Sequence, residues 1–122
     1  MHELSIAQSI LDAVQREMTE KNLPVVSEVG VQVGALSGVL PNALQFCFEA
    51  IIKETPLADC RLIIEHIPVR GRCKACGRSF EVEHFFFCCP TCQSGQIDVT
   101  HGYELDIAYL EIEDEDVVTN EP

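Results

Sequence analysis

Two cysteine pairs carry the clearest chemistry in this chain. Cys73-Lys-Ala-Cys76-Gly and Cys89-Pro-Thr-Cys92 are both of the Cys-x-x-Cys type, with residues 77–88 between them. Two intervening residues let the backbone turn tightly enough for both sulfurs of a pair to reach one ion. Gly77 permits the left-handed backbone such a turn uses. Two knuckles facing each other make a closed tetrahedral site of four cysteines, the usual geometry of structural zinc, Zn(II). With all four positions filled by thiolates, no place is left for water or substrate, so the ion is expected to be structural. A module of ~30 residues buries too little apolar surface to fold alone, and metal binding supplies the missing free energy. The same pairs fit an iron–tetrathiolate electron carrier of the rubredoxin kind, or a zinc-ribbon interaction module, and both stand as alternatives. Cys88 could replace Cys89, but its three-residue spacer to Cys92 suits a knuckle less well, and Pro90 after Cys89 suits the turn. Cys88 is read as a bystander. His84 is read as an exposed strand residue.

The chain start, Met1-His2-Glu3, offers a different donor set. A free α-amine on Met1, the backbone nitrogen of His2 and its Nδ1 can close adjacent five- and six-membered chelate rings. The backbone nitrogen of Glu3 can add a fourth donor. A planar all-nitrogen set suits Ni(II) or Cu(II), whereas zinc prefers a tetrahedron. Read from the residues alone, a histidine at position 2 is usually a solvated, disordered terminal residue.

Composition narrows what such sites can serve. The chain has 122 residues, 47% of them apolar, enough for one ordinary core or a small core with a metal-stapled appendage. Its net charge of −12 repels phosphate backbones and argues against nucleic acid as a partner. Residues 69–100 differ: Arg70, Arg72, Lys74 and Arg78 face Glu81, Glu83 and Asp98, leaving four basic and seventeen acidic residues elsewhere. No apolar run approaches the ~20 residues of a membrane helix, and the start lacks the basic and apolar segments of a signal peptide. Seven cysteines, an odd number without an export signal, argue against a disulfide framework and place the chain in the cytoplasm. No Ser/His/Asp set, phosphate loop or open metal site is recognisable, so no enzyme is expected.

The elements that would position these groups follow from periodicity. Leu4, Ala7, Leu11, Val14 and Met18 recur at three- and four-residue steps and predict a helix over 3–21, ended by Asn22 and Pro24. Val29, Val31 and Val33 alternate with Glu28, Gly30 and Gln32 and predict a strand with one buried face. Residues 34–42 read as a loop. Pro41 suits the first turn of a second helix, striped by Leu44, Cys47, Phe48, Ile51 and Ile52 and closed by Pro56. Cys47 is thereby expected in the core. Residues 61–67 form a strand that carries His66, and Cys60 is a pre-strand residue with no assignable role. Residues 103–112 form the last strand, and His101 is a turn residue before Gly102. The last strand needs earlier strands as partners. The fold is therefore expected to be α+β, with two helices on a small three-stranded sheet. A discontinuous domain (1–68 plus 101–113) would carry the zinc-ribbon-like cysteine module (69–100) as an insertion. Residues 114–122 would be an acidic, frayed tail.

Taken together, these features resemble the hydrogenase nickel-incorporation accessory proteins of the HypA/HybF type. The resemblance rests on the Met-His-Glu-Leu-Ser start, on Val-Gly-Ala-Leu-Ser at 33–37 and on Phe-Cys-Phe-Glu at 46–49. The two cysteine pairs complete it. It implies a nickel metallochaperone that holds transient Ni(II) at Met1, His2 and Glu3, with His2 essential, and zinc on Cys73, Cys76, Cys89 and Cys92. It implies a nickel-handling GTPase as partner and the large subunit of a [NiFe] hydrogenase as recipient. Neither nucleic acid nor a membrane is expected as a partner, and a homodimer is compatible with this reading. One departure stands out. Some relatives place a carboxylate in the loop before the second helix, where it can join the nickel shell. Residues 38–42 here read Gly-Val-Leu-Pro-Asn and offer none.

Overall fold

The computed structural model describes residues 2–113. The acidic 114–122 segment and Met1 lie outside the described residues. The element order is α1 (His2–Lys21), β1 (Val26–Gly34), α2 (Pro41–Ile51), β2 (Arg61–Ile67), β3 (Arg70–Cys73), β4 (Ser79–Glu81), β5 (Ile97–His101) and β6 (Leu105–Ile112).

Helix α1 buries Ala7, Ile10, Leu11 and Val14 along its apolar stripe. It ends where Asn22 takes a φ of 52° and the Leu23 N–H reaches back to the Met18 carbonyl at 3.0 Å. That is the left-handed C-terminal cap that asparagine tolerates. Helix α2 starts at Pro41, as expected from a residue with no N–H to leave unpaired. It stops at Ile51, earlier than Pro56. The Thr55 hydroxyl donates to the Ile52 carbonyl at 2.8 Å and accepts from the Leu57 N–H at 3.0 Å. This local bonding offers the backbone an alternative to the helix ladder. Cys47, expected in the core, is only half-buried, because Leu44 and Phe48 occupy the inward face of α2.

The first sheet has the order β2-β1-β6. Glu28 meets Arg61 and Gln32 meets Glu65, so β1 and β2 run in the same direction, with α2 as their crossover. Gly34 N–H bonds to the Glu104 carbonyl at 2.7 Å and Glu113 N–H to the Val25 carbonyl at 3.0 Å, so β6 runs antiparallel to β1. Val29, Val31 and Val33 are buried on one face, as their alternation requires. The second sheet has the order β4-β3-β5, with both pairs antiparallel. None of its three strands is announced by the sequence, since Arg-Gly-Arg-Cys and Ser-Phe-Glu are short and mostly polar. His101 closes β5 and is not a turn residue, and His84 sits in a turn beyond β4 and not in a strand.

Contacts divide the chain into two compact units. One holds the chain up to Val31, Leu40–Ile64 and the chain from Ile107; the other holds Gln32–Val39 and Glu65–Asp106. The second unit has its own core of Val69, Cys73, Phe80, Val82 and Cys89, against which Ala35, Leu36, Phe87, Ile97 and Val99 pack.

Across the first sheet, three side chains join its three strands. Tyr109 of β6 donates to Glu28 of β1 at 2.6 Å, and Arg61 of β2 donates to the other oxygen of the same carboxylate at 2.5 Å. The Tyr109 hydroxyl, with Arg61 beside it, holds the Glu28 carboxyl below its ordinary range. A depressed carboxylate stabilises the fold above its unfolded pKa, and that contribution is lost as pH falls through the folded value. The Tyr109 ring lies over Gly30, where a Cβ would stand 2.0 Å from Cε2. Gly30→Ala is therefore expected to destabilise the protein by about 1–2 kcal/mol in urea unfolding, and Tyr109→Ala in the same chain should recover part of that loss.

Candidate metal centres

The four cysteines predicted to share an ion converge. Cys73 ends β3, Cys76 follows in the turn to β4, and Cys89 and Cys92 sit in the loop before β5. Their Sγ atoms all lie within 4.8 Å of one another, the Cys73–Cys92 and Cys76–Cys89 separations being 3.5 and 3.6 Å. A tetrahedron with metal–sulfur bonds of about 2.3 Å needs sulfurs about 3.8 Å apart, so the quartet fits a single ion.

The two knuckles are built alike. Gly77 N–H bonds to the Cys73 carbonyl and Gln93 N–H to the Cys89 carbonyl, each at 2.8 Å. Cys73 N–H reaches the Arg78 carbonyl at 2.8 Å and Cys89 N–H the Ser94 carbonyl at 2.9 Å. Gly77 has a φ of 83° and Gln93, its counterpart, 66°. Glycine takes that conformation without strain, whereas Gln93 must be held there by the fold. Cys76 N–H points at the Cys73 sulfur at 3.4 Å, and the Thr91 and Cys92 N–H groups point at the Cys89 sulfur at 3.4 and 3.5 Å. Arg78 ties the knuckles together by donating to the Thr91 hydroxyl at 2.5 Å. In the sequence Arg78 counts only as a charge, and its bracing role is not visible there.

These bonds sort the thiols. The Cys92 N–H, seconded by that of Thr91, holds the Cys89 thiol down to about 6 against burial. Cys76 N–H similarly lowers Cys73. The Ser94 N–H favours a Cys92 thiolate, but the Cys73 sulfur and burial outweigh it and push Cys92 up to about 12. Four thiolates this close repel one another, and a soft divalent cation is what allows all four to ionise together. Cys73 and Cys89 are buried while Cys76 and Cys92 are exposed, so the site lies at the edge of the second unit's core.

Among the described residues no other group of histidine, cysteine or carboxylate residues is gathered this way. Cys88 stands outside the quartet, half-buried, with its sulfur 3.9 Å from the Cys89 carbonyl. Cys60 is buried, and that burial raises its thiol pKa. At the chain start, His2 is exposed in the first turn of α1. Glu3 beside it is half-buried, and its Oε2 accepts the Leu40 N–H at 3.0 Å. Leu40 is the residue that precedes α2, so this carboxylate stands at the positive end of that helix. The Leu40 N–H is the main cause of the lowered Glu3 pKa. The loop before α2, which lacks a carboxylate of its own, thus receives one from Glu3.

Residues 1–112 match the family model described as HypA, hydrogenase/urease nickel incorporation, metallochaperone. The chain belongs to the HypA family. Curated HypA relatives are similar along their whole length. The hydrogenase maturation factor HypA of Geobacter metallireducens is 40% identical over 113 residues, covering 93% of this chain and all of the relative. That of Desulfosudis oleivorans is 38% identical over 115 residues, with the same coverage. Two solution structures share the HypA fold. One, of a HypA protein, superposes with a TM-score of 0.70 at 24% identity over 93% of this chain and 97% of that one. The other, of the nickel metallochaperone HypA from Helicobacter pylori, gives 0.63 at 23% identity over 90% and 96%. The family is one of nickel metallochaperones of hydrogenase maturation. Among the described residues, no helix is long and apolar enough to cross a membrane.

Because metal binding displaces thiol protons, ion retention against a fixed chelator is expected to fall as pH drops from about 7.5 to about 5. Cys89→Ser should abolish retention and disorder the second unit, visible as lost metal content and collapsed amide dispersion for residues 69–100.

Proposed function

We propose that this protein carries Ni(II) at its N-terminus and delivers it, together with a GTPase, to the large subunit of a [NiFe] hydrogenase in the cytoplasm. The observation that carries this reading is the family match over residues 1–112, which takes in the Met-His-Glu start. The donors would be the Met1 α-amine, the backbone nitrogen and Nδ1 of His2, and the backbone nitrogen of Glu3. The first N–H groups of a helix have no intrahelical acceptor, so coordination through the amides of His2 and Glu3 costs α1 none of its own hydrogen bonds. The helix dipole is positive at that end and favours the amidate anions that bind the ion. A site at a chain end can also be opened by a partner that competes for His2, which delivery requires.

In the same reading the ion on Cys73, Cys76, Cys89 and Cys92 is zinc, resident and structural. When bound it supplies a fixed tetrahedral staple and no open coordination position. Residues 1–68 with 101–113 would form the nickel domain and residues 69–100 the zinc domain. A surface with a net charge of −12 leaves nucleic acid and membrane out of the scheme, and a homodimer is compatible with it.

The test is a nickel titration of untagged, zinc-loaded protein beside His2→Ala and beside protein extended before Met1. Both changes should weaken nickel binding by at least tenfold and leave one zinc per chain. Affinity in the unmodified protein should rise with pH, because nickel displaces protons from the amine and two amides. Unchanged nickel binding in His2→Ala would refute the proposal, and iron in place of zinc would favour the electron carrier.

A further inference from the structure

Helix α2 lacks part of its own N-terminal cap. Leu40 is the N-cap residue, and its side chain has no oxygen to offer the first N–H groups of the helix. The first turn holds no acidic residue, and its third position is Ala43. In a capping box that position carries a glutamate or glutamine, which reaches back to the N-cap N–H. Here the same bond comes from another helix, because Glu3 Oε2 accepts the Leu40 N–H at 3.0 Å. Both residues belong to the first compact unit.

The bond serves α1 as much as α2. The buried stripe of α1 begins at Ala7. Before it, His2, Leu4 and Ser5 are exposed, and Glu3 and Ile6 are half-buried. Helix ends fray where little packing holds them. Among the described residues, the Glu3 carboxylate makes the side-chain hydrogen bond that anchors this first turn to another element. That carboxylate has an oxygen committed to Leu40, and residues 38–42 supply no carboxylate of their own.

We propose that the Glu3 side chain is a positioning residue for nickel. Its carboxylate stays on the Leu40 N–H and not on the ion, and so fixes the backbone nitrogens of His2 and Glu3 where the metal uses them. This inference rests on the nickel reading above and deepens it. Donors held in place before the ion arrives lose less freedom when it binds, which raises affinity. A shell of four nitrogens without that carboxylate stays planar, the field that suits Ni(II) and not zinc. The bond between α1 and α2 is thus also a bond between the metal and the start of α2.

The experiment titrates Ni(II) into the full chain, zinc-loaded and untagged, beside three variants. Glu3→Ala should weaken nickel binding by about tenfold, the scale of one charge-assisted hydrogen bond. Glu3→Gln loses the same charge but keeps an oxygen for the Leu40 N–H, and it should recover most of that loss. A carboxylate that ligated the ion would make these two variants equally weak. Glu3→Ala with Ala43→Gln gives α2 an acceptor of its own for the Leu40 N–H. It should bring Tm back to that of the unmodified protein while nickel binding stays weak, whereas a purely structural role would restore both. Hydrogen exchange at the Leu40 amide should be slow with and without nickel in the unmodified protein, and fast in Glu3→Ala. Equal weakening by Gln and Ala would overturn the inference, as would recovered nickel affinity in the double variant or faster Leu40 exchange on nickel loading. Failure of the nickel reading would appear as unchanged affinity in His2→Ala. Failure of this inference alone would appear as affinity lost in His2→Ala and kept in Glu3→Ala.

Discussion

Mutual repulsion of four sulfur atoms is the constraint on which the second half of this molecule turns. Cys73, Cys76, Cys89 and Cys92 are drawn together closely enough that their protons cannot all leave without a cation in the middle. The core behind them is Val69, Phe80, Val82 and the sulfurs themselves, two of which belong to buried residues. So small a cluster gives modest stabilisation, and the ion has to contribute the rest. The backbone prepares for it. N–H groups already aim at the Cys73 and Cys89 sulfurs, and Arg78 fixes the distance between the knuckles through Thr91. Such preorganisation lowers the cost of gathering four thiolates around one ion.

The nickel site proposed at the chain start contrasts with the cysteine quartet. The cysteine quartet is closed, edge-buried and held by four donors far apart in sequence but fixed by backbone bonds. Of the residues proposed to hold nickel, His2 is exposed in the first turn of α1. Glu3 links that turn to the start of α2, through the Leu40 N–H. Its carboxylate is thereby engaged in placing the loop before α2, which leaves its backbone nitrogen as the donor that nickel would use.

Much of this was legible in the residues, and the reason differs from element to element. Alternating valines mark β1 because one of its faces is buried, and a stripe at helical spacing marks α1 for the same reason. β2 is read correctly from its β-branched run, over residues 61–67. The cysteine quartet was visible because metal geometry imposes sequence spacing. β3, β4 and β5 were not visible, because they pair around the small core of Val69, Phe80, Val82 and the cysteines and not through any periodicity of their own. His84 reads as a strand residue because nothing in its neighbours, Glu83 and Phe85, marks the left-handed backbone it adopts. The Tyr109–Glu28–Arg61 bridge joins residues from three separate strands, and only the tertiary fold brings them together.

The order of strands in the first sheet has a consequence for how the protein is made. Residues 35–104 separate β1 from β6, its antiparallel neighbour in the sheet. The sheet therefore stays incomplete until β6 has been synthesised. Closing a long flexible loop is entropically costly and slows folding. The stretch between β2 and β6 need not remain flexible, however. Neighbouring residues Gly34 and Ala35 bond to the Glu104 and Ile67 carbonyls respectively, so the inserted segment leaves and re-enters at almost one point. Capture of an ion by its cysteines would shorten the flexible stretch that has to be closed before β6 can pair. Metal supply during synthesis would thus set the pace of the whole chain's maturation, including the half that never touches the sulfur-bound ion.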